Sequence, residues 1–223
     1  MSDTLKITTL LFDWDGTLVD SAAKGLLAFQ WAFAELGVPF PIEVYESIYS
    51  PNWYSIYEAL NLPKEQWERA DELWLQHYGE QAANLIDGAA TTLLNLSSRG
   101  YRLGVVSSGS ERRVCREIER SDLRDCFEVL ICNEQMVNKK PHPEGLETAL
   151  RHLGRSSSEA AYVGDAPQDI QMGKHANVMT IGVRSAYPTS VNLLSAQPDL
   201  LLETISELSQ HFHQDHQRQS ARA

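Results

Sequence analysis

The sequence predicts an α/β protein in which a doubly wound, mainly parallel sheet carries an inserted all-helical unit. Three observations predict it. Short apolar runs rich in β-branched residues lie at 7–11, 101–106, 127–132, 160–164 and 178–183, with stretches of helical spacing between them. That alternation builds a parallel sheet covered by helices on both faces. From residue 22 to about 81 no strand signal interrupts the helical spacing, so this block stands outside the sheet. Finally, the residues able to do chemistry gather where strands give way to loops, the edge at which open α/β sheets bind ligands. The expected organisation is a core from 1–19 and 88–210, an inserted helical domain from 20–87, and a frayed tail from 211–223.

With 223 residues, 43% of them hydrophobic, the chain is long enough to bury a substantial core. Its formal net charge of -11 and isoelectric point near 5.0 exclude a general nucleic-acid surface, which needs clustered Lys and Arg. The first six residues lack the blocks of a signal peptide, and no apolar run approaches a membrane span. A cytoplasmic protein acting on a small molecule is therefore expected, as a monomer or homodimer. Cys115, Cys126 and Cys132 have neither disulfide nor zinc spacing. His211, His213 and His216 fall among Gln, Ser and Arg, as in a tail.

The first strand, Ile7 to Leu11, runs into Phe12-Asp13-Trp14-Asp15-Gly16-Thr17. Carboxylates at i and i+2 can face one pocket, where their repulsion is costly unless a cation neutralises them or one keeps its proton. Gly16 lets the chain turn and Thr17 adds a hydroxyl donor; taken alone, the stretch could equally be a solvated acidic turn. Helices are expected over 22–36, 42–49, 53–60 and, after Leu62-Pro63, 64–81. Trp31, Trp53, Trp67 and Trp74, with Tyr45, Tyr49, Tyr54, Tyr57 and Tyr78, mostly fill a small core there. Pro51 breaks the helices at Tyr49-Ser50-Pro51-Asn52-Trp53, a loop that either aims polar groups at the pocket or only joins two helices.

Helical residues 91–98 lead into the second strand, which ends in Ser107-Ser108-Gly109-Ser110. Hydroxyls beside backbone amides at a strand end suit phosphate oxygens, although serine is also a common helix start. After a helix over 111–120 and the third strand, Lys140 precedes Pro141-His142-Pro143, whose rings stiffen the backbone and define the lysine's position. The fourth strand ends in Gly164-Asp165, and Asp169 falls in the first turn of the next helix. Such oxygen ligands suit Mg2+, while the helix dipole would equally favour an Asp there. Asn177, which tolerates left-handed angles, precedes the fifth strand; Arg184-Ser185-Ala186-Tyr187 follows it, and a last helix is expected over 202–208.

The run Asp13-Trp14-Asp15-Gly16-Thr17-Leu18-Val19-Asp20-Ser21 resembles the first motif of the haloacid dehalogenase superfamily. Ser107, Lys140-Pro141-His142-Pro143, and Gly164-Asp165 with Asp169 match its second, third and fourth motifs in order, so the resemblance spans about Lys6 to Leu208. It looks most like the phosphoglycolate phosphatase-like members with a small helical cap. The resemblance implies Mg2+-dependent hydrolysis of a small phosphate monoester, phosphoglycolate or a sugar phosphate, through an aspartyl-phosphate. Asp13 would be the nucleophile and Asp15 the general acid and base, with Ser107 and Lys140 on the phosphoryl group. Asp13, the Asp15 carbonyl, and Asp165 with its partner Asp169 would hold Mg2+. Thr17, Ser108, Gly109, Asn52 and Trp53 would contact substrate.

Crowding of carboxylates is expected to keep Asp15 protonated for the first step. Arg184 to Tyr187, where relatives often carry Trp-Gly, should touch only the pocket rim. Against a phosphomutase of the same family stands the short supply of cap cations, Lys24, Lys64 and Arg69. A dehalogenase would leave Asp15 without a purpose, and phosphonatase relatives tend to replace it. A catalytically silent module of this fold would have no need of all four motifs.

Overall fold

A computed structural model describes residues 7–79 and 83–212. Its sheet is built around β1 (Thr9–Phe12), buried at every position, as a strand covered on both faces must be. β2 (Arg102–Val106) and β3 (Phe127–Ile131) extend the sheet on one side; β4 (Ala160–Gly164), β5 (Met179–Val183) and β6 (Leu200–Leu202) extend it on the other. All five pairings are parallel. The strand order β3-β2-β1-β4-β5-β6 therefore reverses direction between β1 and β4, and loops leaving the two strands diverge to open a crevice there.

The cap elements are α1 (Ala22–Glu35), α2 (Ile42–Ile48), α3 (Trp53–Ala59) and α4 (Trp67–Tyr78); α5 (Ala89–Ser98), α6 (Glu111–Arg120), α7 (Glu144–Leu153), α8 (Pro167–His175) and α9 (Leu208–His211) flank the sheet. Alternation along β1 separates the two layers: Leu10 and Phe12 join a core with residues of α5, α6 and α9, whereas Leu11 joins one with α7 and α8. The cap has a third core, in which Phe29, Phe33, Phe40, Tyr45, Ile56 and Tyr57 pack together. Phe33 and Phe40 lie 4.7 Å apart between ring centres. The two chain crossings that join cap to sheet lie side by side, with Val19 bridged to Leu85 and the Asp20 amide donating to the Asn84 carbonyl at 2.9 Å.

Four sequence expectations need correction. Lys64–Gln66 is a 3-10 turn, and α4 begins only at Trp67; the expected helix end at 80–81 lies outside the described residues. Trp31 is no core residue: it is 61% exposed and stacks on His77. Leu202 does not start a helix but closes β6, paired with Val183, because the apolar Leu200-Leu201-Leu202 run is too short for its periodicity to decide. The tail does not fray at 211 either. α9 runs to His211, and Phe212 is buried edge-on to Tyr101 while its carbonyl accepts a hydrogen bond from Arg99. His213 and His216 lie outside the described residues. Asn177 does adopt a left-handed backbone, with φ of 55°.

Candidate active site

The crevice fills with charge as soon as the strands end. The Asp13 amide donates to the Val163 carbonyl at 2.8 Å, which carries the Asp13 side chain past β1 towards Asp165, beyond β4. Lys140 is buried, its Nζ 2.8 Å from Asp13 Oδ1 and 2.8 Å from Asp169 Oδ1. Asp169 is fully committed: Oδ2 caps α8 by accepting the Ala166 amide at 3.0 Å, and Oδ1 also accepts the Tyr162 hydroxyl at 3.3 Å. Gly16 is required at the turn, since its φ is +79° and any Cβ would run into the Asp165 carboxylate.

Carboxylate oxygens of Asp13, Asp165 and Asp169 lie within 4.8 Å of one another. One lysine cannot neutralise three buried carboxylates. Burial pushes the Asp13 carboxyl up to about 7 against the pull of Lys140. Burial, then repulsion from Asp169 and Asp13, holds Asp165 well above the ordinary range. Burial pulls the Lys140 ammonium down, but Asp13 and Asp169 outweigh it and hold the group well above its ordinary value. An all-oxygen cluster short of positive charge fits a hard divalent cation.

Asp15 lies outside that cluster. Its carboxylate receives the Arg113 guanidinium through both terminal nitrogens and the Ser21 hydroxyl at 2.7 Å, leaving its backbone carbonyl as the atom for the metal role that the resemblance implies. Burial would raise its pKa, yet Arg113, with the Ser21 hydroxyl and Lys140, outweighs burial and holds the carboxyl below the usual range. Crowding thus acts on Asp13 and Asp165, while the guanidinium draws the Asp15 carboxyl down.

Ser107 is buried, and its Oγ accepts the Gly109 amide at 3.0 Å. The Ser108 and Ser110 hydroxyls are buried without a partner among the described residues, and all three serines line a cavity of about 220 Å³ between sheet and cap. Asp13, Asp15 and Arg113 contribute to its floor; Phe29, Tyr45, Tyr49, Trp53, Tyr57, Asp71, Trp74 and Tyr78 form much of its roof.

Two expected substrate contacts are misplaced. The Thr17 hydroxyl faces Asp165 at 3.4 Å and is buried away from the cavity. Asn52 faces a shallow surface beside Val137 to Pro143, whereas its neighbour Trp53 does line the cavity. Trp53 spends its indole N–H on Asp71 Oδ1, at 2.9 Å. The 184–187 segment is also more than a rim. Ser185 donates to Asp165 at 2.6 Å, and buried Tyr187 places its hydroxyl 3.0 Å from Ser21 Oγ and stacks on Tyr49.

Arg113 is the residue that sequence reasoning missed. It is buried and binds Glu117 as well, at 3.0 Å, while Glu117 also accepts the Trp14 indole N–H at 2.8 Å. The signal was present: Arg113 and Glu117, at i and i+4, share a helix face with Val114 and Ile118, so an ion pair had to be buried with them.

Comparison with known proteins agrees with this architecture. The model of the haloacid dehalogenase-like hydrolases matches residues 10–183. Pyrophosphatase PpaX of Listeria monocytogenes is 34% identical over 208 residues, covering 91% of this chain and 95% of its own. Among solved structures, a haloacid dehalogenase-like family hydrolase of Streptococcus pneumoniae superposes with a TM-score of 0.79 at 25% identity, covering 93% of this chain and 99% of its own. CbbY of Rhodobacter sphaeroides, solved with phosphate, gives a TM-score of 0.78 at 26% identity over 91% of this chain and 96% of its own. With the model spanning most of the chain and the sheet edge carrying the acidic cluster, the protein belongs to the haloacid dehalogenase-like hydrolases.

Proposed function

We propose that the chain is a Mg2+-dependent phosphatase that hydrolyses a small phosphate monoester through an aspartyl-phosphate on Asp13, with residues 20–87 acting as a cap over the site. The observation that carries this reading is the Lys140 ammonium bound at once to Asp13 and Asp169. It holds one Asp13 oxygen in place and puts a positive charge where phosphoryl oxygens arrive. Asp13 attacks phosphorus, forming the acyl phosphate as the ester oxygen leaves. Lys140 and the serine hydroxyls at 107 and 108 offset the charge on the phosphoryl oxygens. Mg2+, held by Asp13, the Asp15 carbonyl and Asp165 with Asp169 behind, would supply further positive charge there.

Asp15 in its ionised state is suited to take a proton from the water that hydrolyses the acyl phosphate. For the first step it must instead carry a proton, and the negative charge of an arriving phosphate raises its proton affinity. The lack of spare cations among the described residues of the roof disfavours a phosphomutase, whose product sugar must be held and turned with its second phosphate. The test is release of inorganic phosphate from p-nitrophenyl phosphate. Release that depends on added Mg2+ and is lost in Asp13→Asn supports the reading; release that is unaffected by either overturns it.

A further inference from the structure

The roof of the cavity differs in charge from what an anionic leaving group needs. Seven aromatic residues, Phe29, Tyr45, Tyr49, Trp53, Tyr57, Trp74 and Tyr78, line it together with the carboxylate of Asp71, and Glu134 stands at the same cavity. Asp71 is the focus of three donors: Trp53 and Tyr57 on Oδ1 at 2.9 and 2.8 Å, and Tyr54 on Oδ2 at 3.2 Å. Even so, burial keeps its carboxyl above the ordinary value, the mark of a carboxylate short of a positive charge.

No cation of the described residues is available to pair with it. Arg113, the one basic residue among the described residues that line the cavity, is divided between Asp15 and Glu117. The cap cations are engaged with other groups: Lys24 lies over the ring of roof residue Tyr78 at 4.3 Å, Lys64 over Trp67 at 5.6 Å, and Arg69 pairs with Glu72. Lys139 donates to the carbonyls of Asn133 and Met136. A carboxylate or second phosphate entering the roof would be stripped of water beside Asp71 with no free cation among the described lining residues to replace it. Trp74 and Tyr78 already lie against Arg113 and Lys24, and an organic cation would be attracted by the remaining rings and by Asp71.

We infer that the leaving group is an organic cation: the roof selects phosphate monoesters of amino or quaternary ammonium alcohols over those of carboxylate- or phosphate-bearing alcohols. This rests on the phosphatase reading and names its substrate class.

The experiment compares kcat/KM for choline phosphate with that for 3,3-dimethylbutyl phosphate, which has the same shape without the charge, and with phosphoglycolate and pyrophosphate. p-Nitrophenyl phosphate reports the core chemistry in parallel. Choline phosphate should exceed its neutral isostere by roughly tenfold or more, with phosphoglycolate and pyrophosphate lowest. In Asp71→Asn the ratio of charged to neutral ester should fall towards one. Hydrolysis of the neutral isostere at an equal or higher rate, or a preference for phosphoglycolate or pyrophosphate, overturns the inference and leaves the phosphatase reading standing. Absence of hydrolysis for every ester, the aryl phosphate included, overturns both. Because the ratio is measured within one wild-type preparation, the comparison of esters holds whether or not the variant folds.

Discussion

The floor and the roof of the cavity are built by opposite means. On the floor the cations are locked to carboxylates: Lys140 to Asp13 and Asp169 from distant parts of the chain, and Arg113 to distant Asp15 and to Glu117 one helical turn on. The roof is made of aromatic rings and a single carboxylate, held by neutral donors. Ion pairs in a buried site fix geometry at a cost in desolvation, which suits a reacting group that every substrate shares. Rings on a helical scaffold give broad, adaptable contact, which suits the part of a substrate that varies.

The sharpest way to break this contrast is to remove a charge from the floor. Lys140→Met leaves three buried carboxylates without compensation and should destabilise the fold by about 3 to 5 kcal/mol, measurable by urea titration. Unchanged stability would show that the carboxylates do not depend on the lysine. Arg113→Met should cost less, about 2 kcal/mol, because the Asp15 side chain is 22% exposed and can recover water. Glu117, at 1% exposure, cannot, so Arg113→Met combined with Glu117→Gln should be more stable than Arg113→Met alone.

The roof should respond more gently. Trp53→Phe keeps a ring and removes one donor to Asp71, which should cost about 1 kcal/mol in stability. Its effect on p-nitrophenyl phosphate should be smaller than the effect of either floor variant. A loss of aryl phosphate turnover as large as that of Lys140→Met would erase the division between floor and roof.

The smallest expected effect is a dependence of stability on pH. Burial raises the Asp71 carboxyl in the folded chain, so the folded state binds its proton more tightly than the unfolded one does. The resulting stability is fully present below the ordinary value of 3.8 and is lost as pH rises through the higher folded value. Relative to wild type, Asp71→Asn should therefore gain stability as pH rises across that window, and a flat difference in melting temperature would contradict this.

Much of the floor was legible in the sequence because residue type and position suffice there: acids, a lysine and serines where strands end must converge at one sheet edge. Their partners were not legible. Arg113 and Asp15 are far apart in the chain, as are Ser185 and Asp165, so only the fold brings them together. In the roof, the sequence marked the loop at Pro51, but the side that each residue faces depends on backbone angles after the proline. Trp53 entered the cavity and Asn52 did not. Asp71, inside a helix that reads as ordinary and amphipathic, acquires its meaning only from the three rings that reach it.

Every step proposed for the site requires that Asp13 carry the phosphoryl group. Quenching the enzyme during turnover of p-nitrophenyl phosphate with Mg2+ and mapping the modified peptide by mass spectrometry tests this directly. One phosphoryl group is expected on the peptide containing Asp13, and in Asp13→Asn neither that adduct nor sustained turnover, with the fold retained. Multiple turnovers by Asp13→Asn, or a phosphoryl group trapped on another residue, would contradict the assignment.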